Sequence, residues 1–395
     1  MSLNTLIQNW KELASDSSYR DLAFELETLR GTQLWTEMLC EYPELLGSQF
    51  HLCPEKSSIR FLSSYTAAQT IRTFGALLTM VKEGGLPHSL DDLFPVLFES
   101  MAQKDLDLER ENVASILTEA CSSAQLIEPT TFEMGVSWRR EHEEAIQQDF
   151  LEQRTVTIQS PFQIMRVPVT QFLYDQITHK QPSFFKNRAS PVERVNWYEA
   201  ILFANALSRF QGLEEVYYLD SSLRQALADL QGGDLYSSKE ISELSKNIEV
   251  SWSFNGWRLP TEAEWELAAL AGDSFLYAGS DDIDEVAWYG DSYDLNFGNS
   301  KGTNHPVAQK KPNGWGLYDM SGNVWEWCWD RYNRKDRGPS PHLDPKGVHK
   351  GVYRVVRGGG WGFKSLGSRV TFRGSCDPVS RDFAVGLRLV RRVDG

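Results

Sequence analysis

Two carboxylates, Asp319 and Glu326, flank the turn Tyr318-Asp319-Met320-Ser321-Gly322-Asn323 inside the run NGWGLYDMSGNVWEWCWD, which extends from Asn313 to Asp330. A turn that brings Asp319 near Glu326 gathers several oxygens around one point, the arrangement a hard cation such as calcium needs. After the turn, Trp325, Trp327 and Trp329 alternate with Val324, Glu326 and Cys328. Such alternation predicts an extended strand buried on its tryptophan face, with Glu326 as an acidic exception on the other. A core strand whose two acids only satisfy turn amides is the competing reading.

Sulfur and imidazole offer less. The five cysteines, Cys40, Cys53, Cys121, Cys328 and Cys376, are odd in number and lack metal-type spacing. That fits free thiols in a reducing compartment. None of the seven histidines, His51, His88, His142, His179, His305, His342 and His349, forms an i, i+4 pair, so no helix turn presents two imidazoles to one metal. A net charge of -14 argues against nucleic acid as the partner, because phosphate binding needs a basic surface. The N-terminus, MSLNTLIQNWKELASDSS, lacks the apolar run of a signal peptide, and no stretch is long and apolar enough to cross a bilayer. The expectation is a cytoplasmic protein with no membrane partner.

The elements that must position these residues follow from local signals. Thr261 with Glu264 three residues on is a capping box, so a helix starts there and turns Trp265 and Ala268 or Ala269 inward. Downstream, Arg354-Val355-Val356-Arg357 enters Gly358-Gly359-Gly360-Trp361, and the chain closes through Val385-Gly386-Leu387-Arg388-Leu389-Val390. Together with Phe132-Glu133-Met134-Gly135, Phe162 to Thr170, Pro191 to Ala200 and Val286-Ala287-Trp288-Tyr289, this ordered series resembles the formylglycine-generating-enzyme family, also called the sulfatase-modifying-factor domain. The resemblance implies an α+β, C-type-lectin-like fold with much irregular loop for residues 126–395. It leaves activity open, because function belongs to the site carried by the fold. Residues 1–125 differ: apolar residues recur at helical spacing in Leu3 to Leu29, Gln33 to Leu46, Thr66 to Val81 and Val113 to Ala120, which predicts a separate all-α domain. The insertion Asp220 to Asn247, rich in Ser, Leu, Glu and Lys, is expected to add a short helix.

The resemblance also implies sites, position by position. Its calcium turn uses positions that correspond here to Asp319, Gly322, Val324 and Glu326, and a second calcium site near Val286 is not expected because an oxygen ligand is replaced by an apolar side chain. Catalytic members use two cysteines that bind copper(I), and those positions fall on Phe363 and Ser368. Neither side chain is a soft thiolate, so formylglycine generation is not expected. A second enzymatic branch couples the domain to helices bearing a three-histidine iron site, which the histidine spacing does not supply. A non-haem iron or copper oxidoreductase therefore stands as the alternative to a binding protein.

The segment GFKSLGSRVTFRGSCDPVSRDFAV, from Gly362 to Val385, sharpens the binding reading. It resembles the variable segment of diversity-generating-retroelement proteins, in which adenines of Asn codons are randomised on this scaffold. Met, Lys, Gln, Glu and Trp cannot arise from such a codon, and across these 24 residues only Lys364 belongs to that group. Ordinary drift in a loop held by Arg369, Arg373, Pro378 and Arg381 is the competing account. The expected ligand surface, within residues 357–390, comprises Trp361 at the base with Phe363, Lys364, Leu366, Arg369, Phe372, Ser375, Asp382 and Phe383. An apolar patch with a charged rim has the composition of a hot spot for a protein or other macromolecular ligand.

Overall fold

The computed structural model describes Phe98, Ala102 and residues 118–135, 153–219, 248–333 and 342–393. The chain divides into Met1–Ala120 and Cys121–Gly395. Apart from Phe98 and residues 118–121, which are helical, the helices expected in residues 1–125 lie outside the described residues, as does the insertion 220–247. The second unit has an α+β fold.

Its strands, numbered over the described residues, are β1 (Ala124–Ile127), β2 (Thr130–Met134), β3 (Arg154–Ile158), β4 (Phe162–Met165), β5 (Tyr217–Leu219), β6 (Ile248–Val250), β7 (Trp257–Arg258), β8 (Trp325–Arg331), β9 (Arg354–Arg357), β10 (Gly374–Cys376), β11 (Val385–Gly386) and β12 (Val390–Arg392). The helices are α1 (Gln171–Thr178), α2 (Trp197–Phe210), α3 (Glu262–Leu270) and the single turn α4 (Ile283–Val286). Local chemistry fixes where the longer helices begin. Thr170 accepts from the Leu173 N–H at the start of α1, while Asn196 with Glu199 and Thr261 with Glu264 form complete capping boxes on α2 and α3. Each box satisfies N–H groups that a helix cannot satisfy internally.

Two four-stranded sheets organise the unit, in the orders β1-β4-β12-β7 and β10-β9-β8-β11. In the second, β8 runs antiparallel to β9 with Glu326 opposite Arg357, and parallel to β11 with Val385 opposite Trp325. Residues 358–384 therefore leave from one neighbour of the tryptophan strand and return along the other. The register along β8 and β9 shifts between Trp327 and Arg331, an irregularity that bends the strand.

Helix α3 packs against β2, β8 and β9, and Trp265, Leu267 and Ala268 join Cys328, Val355, Ile164 and Val390 in one core cluster. Trp197, Trp265 and Trp327 are fully buried, and burying each such side chain contributes roughly 1.5–3 kcal/mol or more. The alternation expected of β8 is present, yet both of its faces are covered. On one, Trp329 packs against Trp197, Tyr217 and Trp252; on the other, Cys328 joins the core and Glu326 is wholly enclosed.

Candidate ligand-binding surface

Burying carboxylates is expensive unless a cation and hydrogen bonds accompany them. Helix α3 nonetheless buries Glu262, Glu264 and Glu266, and β8 buries Glu326. Each meets an arginine: Arg373 Nε donates to Glu262 at 2.6 Å, Arg258 grips Glu264 through both terminal nitrogens at 2.6 and 2.7 Å, and Arg357 pairs with Glu266. Arg388 donates to Glu326 from Nε at 3.0 and 3.1 Å and from Nη2 at 2.9 Å. Three of these arginines, Arg357, Arg373 and Arg388, stand before, within and just after the C-terminal loop. The loop is thereby fixed to the core at three buried ion pairs.

These pairs leave protonation signatures. Burial works against the Glu262 charge, but Arg373 and Arg357 hold its carboxyl below the ordinary range. Asp330 accepts the Glu262 N–H at 2.8 Å, and burial, reinforced by the Glu262 charge, pushes it up to about 7.

Between its anchors the loop follows glycine geometry. Gly359 has φ +75°, and a Cβ there would lie 2.6 Å from Ser368 Oγ and 2.8 Å from Ser368 backbone atoms. Only glycine lets the turn close against the 3-10 turn Ser365–Ser368. Trp361 N–H donates to Asn323 O at 2.8 Å and Trp325 N–H to Ala384 O at 2.8 Å, so one limb of the loop is tied to the turn before the tryptophan strand and the other to the strand itself.

The surface so held contains a cavity of ≈ 470 Å³ with Trp325, Val356 and Val385 among its lining residues. Six of the expected residues line it: Phe363, Lys364, Leu366, Phe372, Ser375 and Asp382. Phe363 stands edge-on to Trp325 at 5.4 Å, and Phe372 lies tilted to the same ring at 5.9 Å. Phe363 and Phe383 are 43% and 46% exposed. Phe372 is half-buried, and Trp361 is buried beneath Phe383, its ring centroid 5.7 Å away. Lys364 pairs with Asp291 at 3.3 Å.

Two of the expected residues act on the backbone. Asp382 Oδ1 accepts the Ala384 N–H at 2.7 Å, an Asx-type turn that sets the return limb. Arg369, half-buried, ends the 3-10 turn, its N–H donating to Leu366 O at 3.2 Å. Arg381, expected to fix the loop, grips Glu199 through two nitrogens at 2.8 and 3.0 Å.

Sequence reasoning missed two aromatic flanks. Phe184 is 62% exposed, with its centroid 6.5 Å from that of Phe383. On another edge, Phe297, Leu295 and Tyr293 are 40%, 58% and 99% exposed, and Lys364 lies over the Phe297 ring at 5.8 Å. The available signal was aromatic residues set among turn formers, as in QPSFFKN and GDSYDLNFGN.

The turn expected to hold calcium is built differently. Asp319, at φ +55°, accepts the Ala308 N–H at 2.8 Å through Oδ2 and the Asn323 side-chain N–H at 3.1 Å through Oδ1. Burial pushes its carboxyl up to about 6 against these partners. Glu326 also accepts the Trp265 indole N–H at 2.7 Å, and Arg388 neutralises it at zero exposure. Gly322 donates its N–H to Gly358 O at 2.7 Å, and Val324 is fully buried. These residues do not fit a calcium ion, which would have to displace a guanidinium from Glu326. Among the described residues no cluster of three or more His, Cys, Asp or Glu side chains could hold a metal.

The described thiols are protonated at neutral pH. Burial pushes Cys376 up to about 11, Cys121 up to about 12 and Cys328 well above the ordinary thiol value. Ser368 is fully buried, and its carbonyl accepts the Ser321 hydroxyl at 2.8 Å. His305 stacks on Trp288 at 3.8 Å; His51, His88, His142, Cys40 and Cys53 lie outside the described residues. No helix among the described residues is long and apolar enough to cross a membrane.

Comparison with known proteins agrees with this geometry. The family described as "Sulfatase-modifying factor enzyme 1-like domain" matches residues 111–393. Chaperone protein LppX of Paenibacillus barcinonensis is 34% identical over 251 residues, covering 60% of this chain and 82% of that protein. The formylglycine-generating enzyme of Streptomyces coelicolor is 34% identical over 165 residues, covering 37% of this chain and 52% of the enzyme, so the chain spans about half its length. Among solved structures, Treponema denticola variable protein 1 is similar at a TM-score of 0.58 and 32% identity, over 68% of this chain and 95% of that one.

Proposed function

The chain belongs to the sulfatase-modifying factor enzyme 1-like family, and we propose that it is a non-catalytic member that binds a protein or other macromolecular ligand on a C-type-lectin-like scaffold through residues 357–390. One observation carries the reading. Within a single segment, Arg357, Arg373 and the adjoining Arg388 turn inward to buried carboxylates, while Phe363 and Phe383 stand in water beside a Trp325-lined cavity. A rigid backbone presenting apolar side chains lowers the ordering cost of association.

The alternative, an iron or copper oxidoreductase, lacks its ligands in this segment. Phe363 stands at the first cysteine position, and a phenyl ring offers copper(I) no donor. Ser368, at the second, is buried.

A finer reading draws on the similarity to a protein named a variable protein: the segment is diversified by adenine-directed retroelement copying. Its outward residues are those whose replacement disturbs no buried ion pair. The cytoplasm is the compartment we assign, supported by free cysteines at Cys121, Cys328 and Cys376.

Two measurements test this function. The gene's 3′ neighbourhood should contain a near-repeat of the codons for 357–390, differing at adenines and lying beside a reverse transcriptase; its absence overturns the diversification reading. Metal analysis of the purified full chain should find neither copper nor iron in stoichiometric amount, and finding either overturns the non-catalytic reading.

A further inference from the structure

Glu193 is fully buried and, unlike the glutamates of α3 and β8, makes no ion pair among the described residues. Its Oε1 accepts the Phe185 N–H at 2.9 Å, while Oε2 has no hydrogen-bond partner among those residues. A buried carboxylate charge left half satisfied is costly, and taking up a proton relieves it. Burial pushes this carboxyl up to about 7, against the opposing pull of the Phe185 and Phe184 N–H groups, Arg194 and Lys186.

What Glu193 holds is one border of the exposed surface. Gln171 Nε2 donates to Phe185 O at 2.7 Å, and Ser183 Oγ accepts the Glu193 N–H at 3.2 Å. Phe185 packs edge-on against Trp361 at 5.2 Å, and Phe184 lies beside Phe383. The next residue, Arg194, donates its N–H to Asp382 O at 3.0 Å. Glu193 thus joins the Phe184 and Phe185 loop to both limbs of the C-terminal segment, at Trp361 and at Asp382.

No neighbouring charge takes the place of a partner. Lys186 and Arg194 are exposed, and Asp382 is engaged in its own turn with Ala384. Arg188 pairs with Asp175 at 3.2 Å, and Glu199, in the first turn of α2, pairs with Arg381. Residues 300–305, which meet Pro191 through Asn304 Nδ2 at 3.3 Å, bring exposed Lys301 and His305. The His305 ring meets Ser300 O at 2.7 Å, and burial holds it below the ordinary imidazole value.

We propose that Glu193 is a proton-operated latch: protonated, it lets the loop of Phe184 and Phe185 close against Trp361, and once ionised it favours an open loop in which water reaches Oε2. The closed loop binds the proton more tightly than a solvated carboxyl at 4.5 does. Its preference is therefore greatest in acid and is lost as pH rises from 4.5 through about 7, by up to about tenfold per pH unit. The latch stands without a ligand; its tuning of contacts at Phe184 and Phe383 rests on the binding reading above.

Phe184 and Phe185 are the only adjacent phenylalanines in the sequence. A full chain labelled with carbonyl-13C, 15N phenylalanine therefore gives one carbonyl-correlated amide signal, that of Phe185. Its shift should titrate with a midpoint near 7. Its protection against hydrogen exchange, corrected for the intrinsic rate, should fall about tenfold or more between pH of about 5 and about 7.5. Glu193→Gln keeps an oxygen for the Phe185 N–H and cannot ionise, so both changes should vanish. A wild-type signal that does not titrate, or whose midpoint lies below about 6 where an ordinary carboxyl or His305 would act, overturns the latch without recourse to any variant. Protection that rises with pH, or a pH dependence that survives in Glu193→Gln, overturns it as well. No ligand enters the measurement, so its failure leaves the binding reading standing.

Discussion

Replacing Glu326 by Gln should be among the most damaging conservative changes in the chain. Both Glu326 and Arg388 have zero exposure, and Arg388 donates three times to this carboxylate, with further donations to Met165 O at 2.9 Å and Tyr318 O at 2.6 Å. Glutamine keeps the shape but leaves the guanidinium buried without its counter-charge, a change that costs roughly 3–5 kcal/mol. At roughly 2–4 °C per kcal/mol for a domain of this size, the melting temperature should fall by roughly 6–20 °C. Urea unfolding of the full chain reads the loss directly. Adding Arg388→Met removes the stranded cation but leaves the Met165 and Tyr318 carbonyls unmet, so the double variant should recover part of the loss, with a coupling energy of roughly 1–3 kcal/mol. Calcium or EDTA should leave every melting curve unchanged. A Glu326→Gln protein within about 0.5 kcal/mol of wild type, or a wild-type melting temperature lowered by EDTA, would refute the ion-pair account.

Phe363→Ala and Phe383→Ala should each reduce stability by only about 1 kcal/mol, since each ring is nearly half in water; a loss of several kcal/mol would mark them as core. Asp330 binds its proton more tightly in the fold than in the unfolded chain, so its contribution is greatest at low pH and fades as pH rises from 3.8 through about 7. Asp330→Asn retains an oxygen for the Glu262 N–H, so it should flatten that pH dependence and raise neutral-pH stability, as measured by urea unfolding across the range. Gly359→Ala should destabilise by more than about 1 kcal/mol, because its methyl would meet the backbone of Ser368 at a left-handed φ; an unchanged melting curve would show that the 3-10 turn gives way freely.

The sequence made the locally determined features legible. Thr261 and Glu264 announce their capping box within three residues, and the β8 alternation needs only its own strand. The partners of the buried acids were illegible, because the contacts join residues far apart in the chain. Glu262 meets Arg373, Glu266 meets Arg357 and Glu326 meets Arg388, each separation exceeding any local period. That is also why Asp319 and Glu326, adjacent to one turn, suggest a shared cation: nothing nearby reveals that Arg388 already neutralises one of them. Facing within Gly362 to Val385 had no regular period to follow, so Phe372 and Phe363 could not be separated until the strand beneath them was placed.

The buried pairs explain how an exposed apolar surface and a stable anchor can occupy the same stretch of chain. A loop as long as residues 358–384 closes with only a slowly growing entropy cost, but its interior must still be held in one arrangement to present a surface. Here that constraint comes from Arg357 and Arg373, Asp382 on its own turn, and Arg381 across to Glu199. None of these depends on Phe363, Leu366, Ser375 or Phe383. Substitutions at the outward positions therefore change the exposed surface while leaving the charge pairs intact, whereas a change at an anchoring arginine strands a buried carboxylate. The location of tolerance follows from where the carboxylates lie: on α3 and β8, outside residues 358–384.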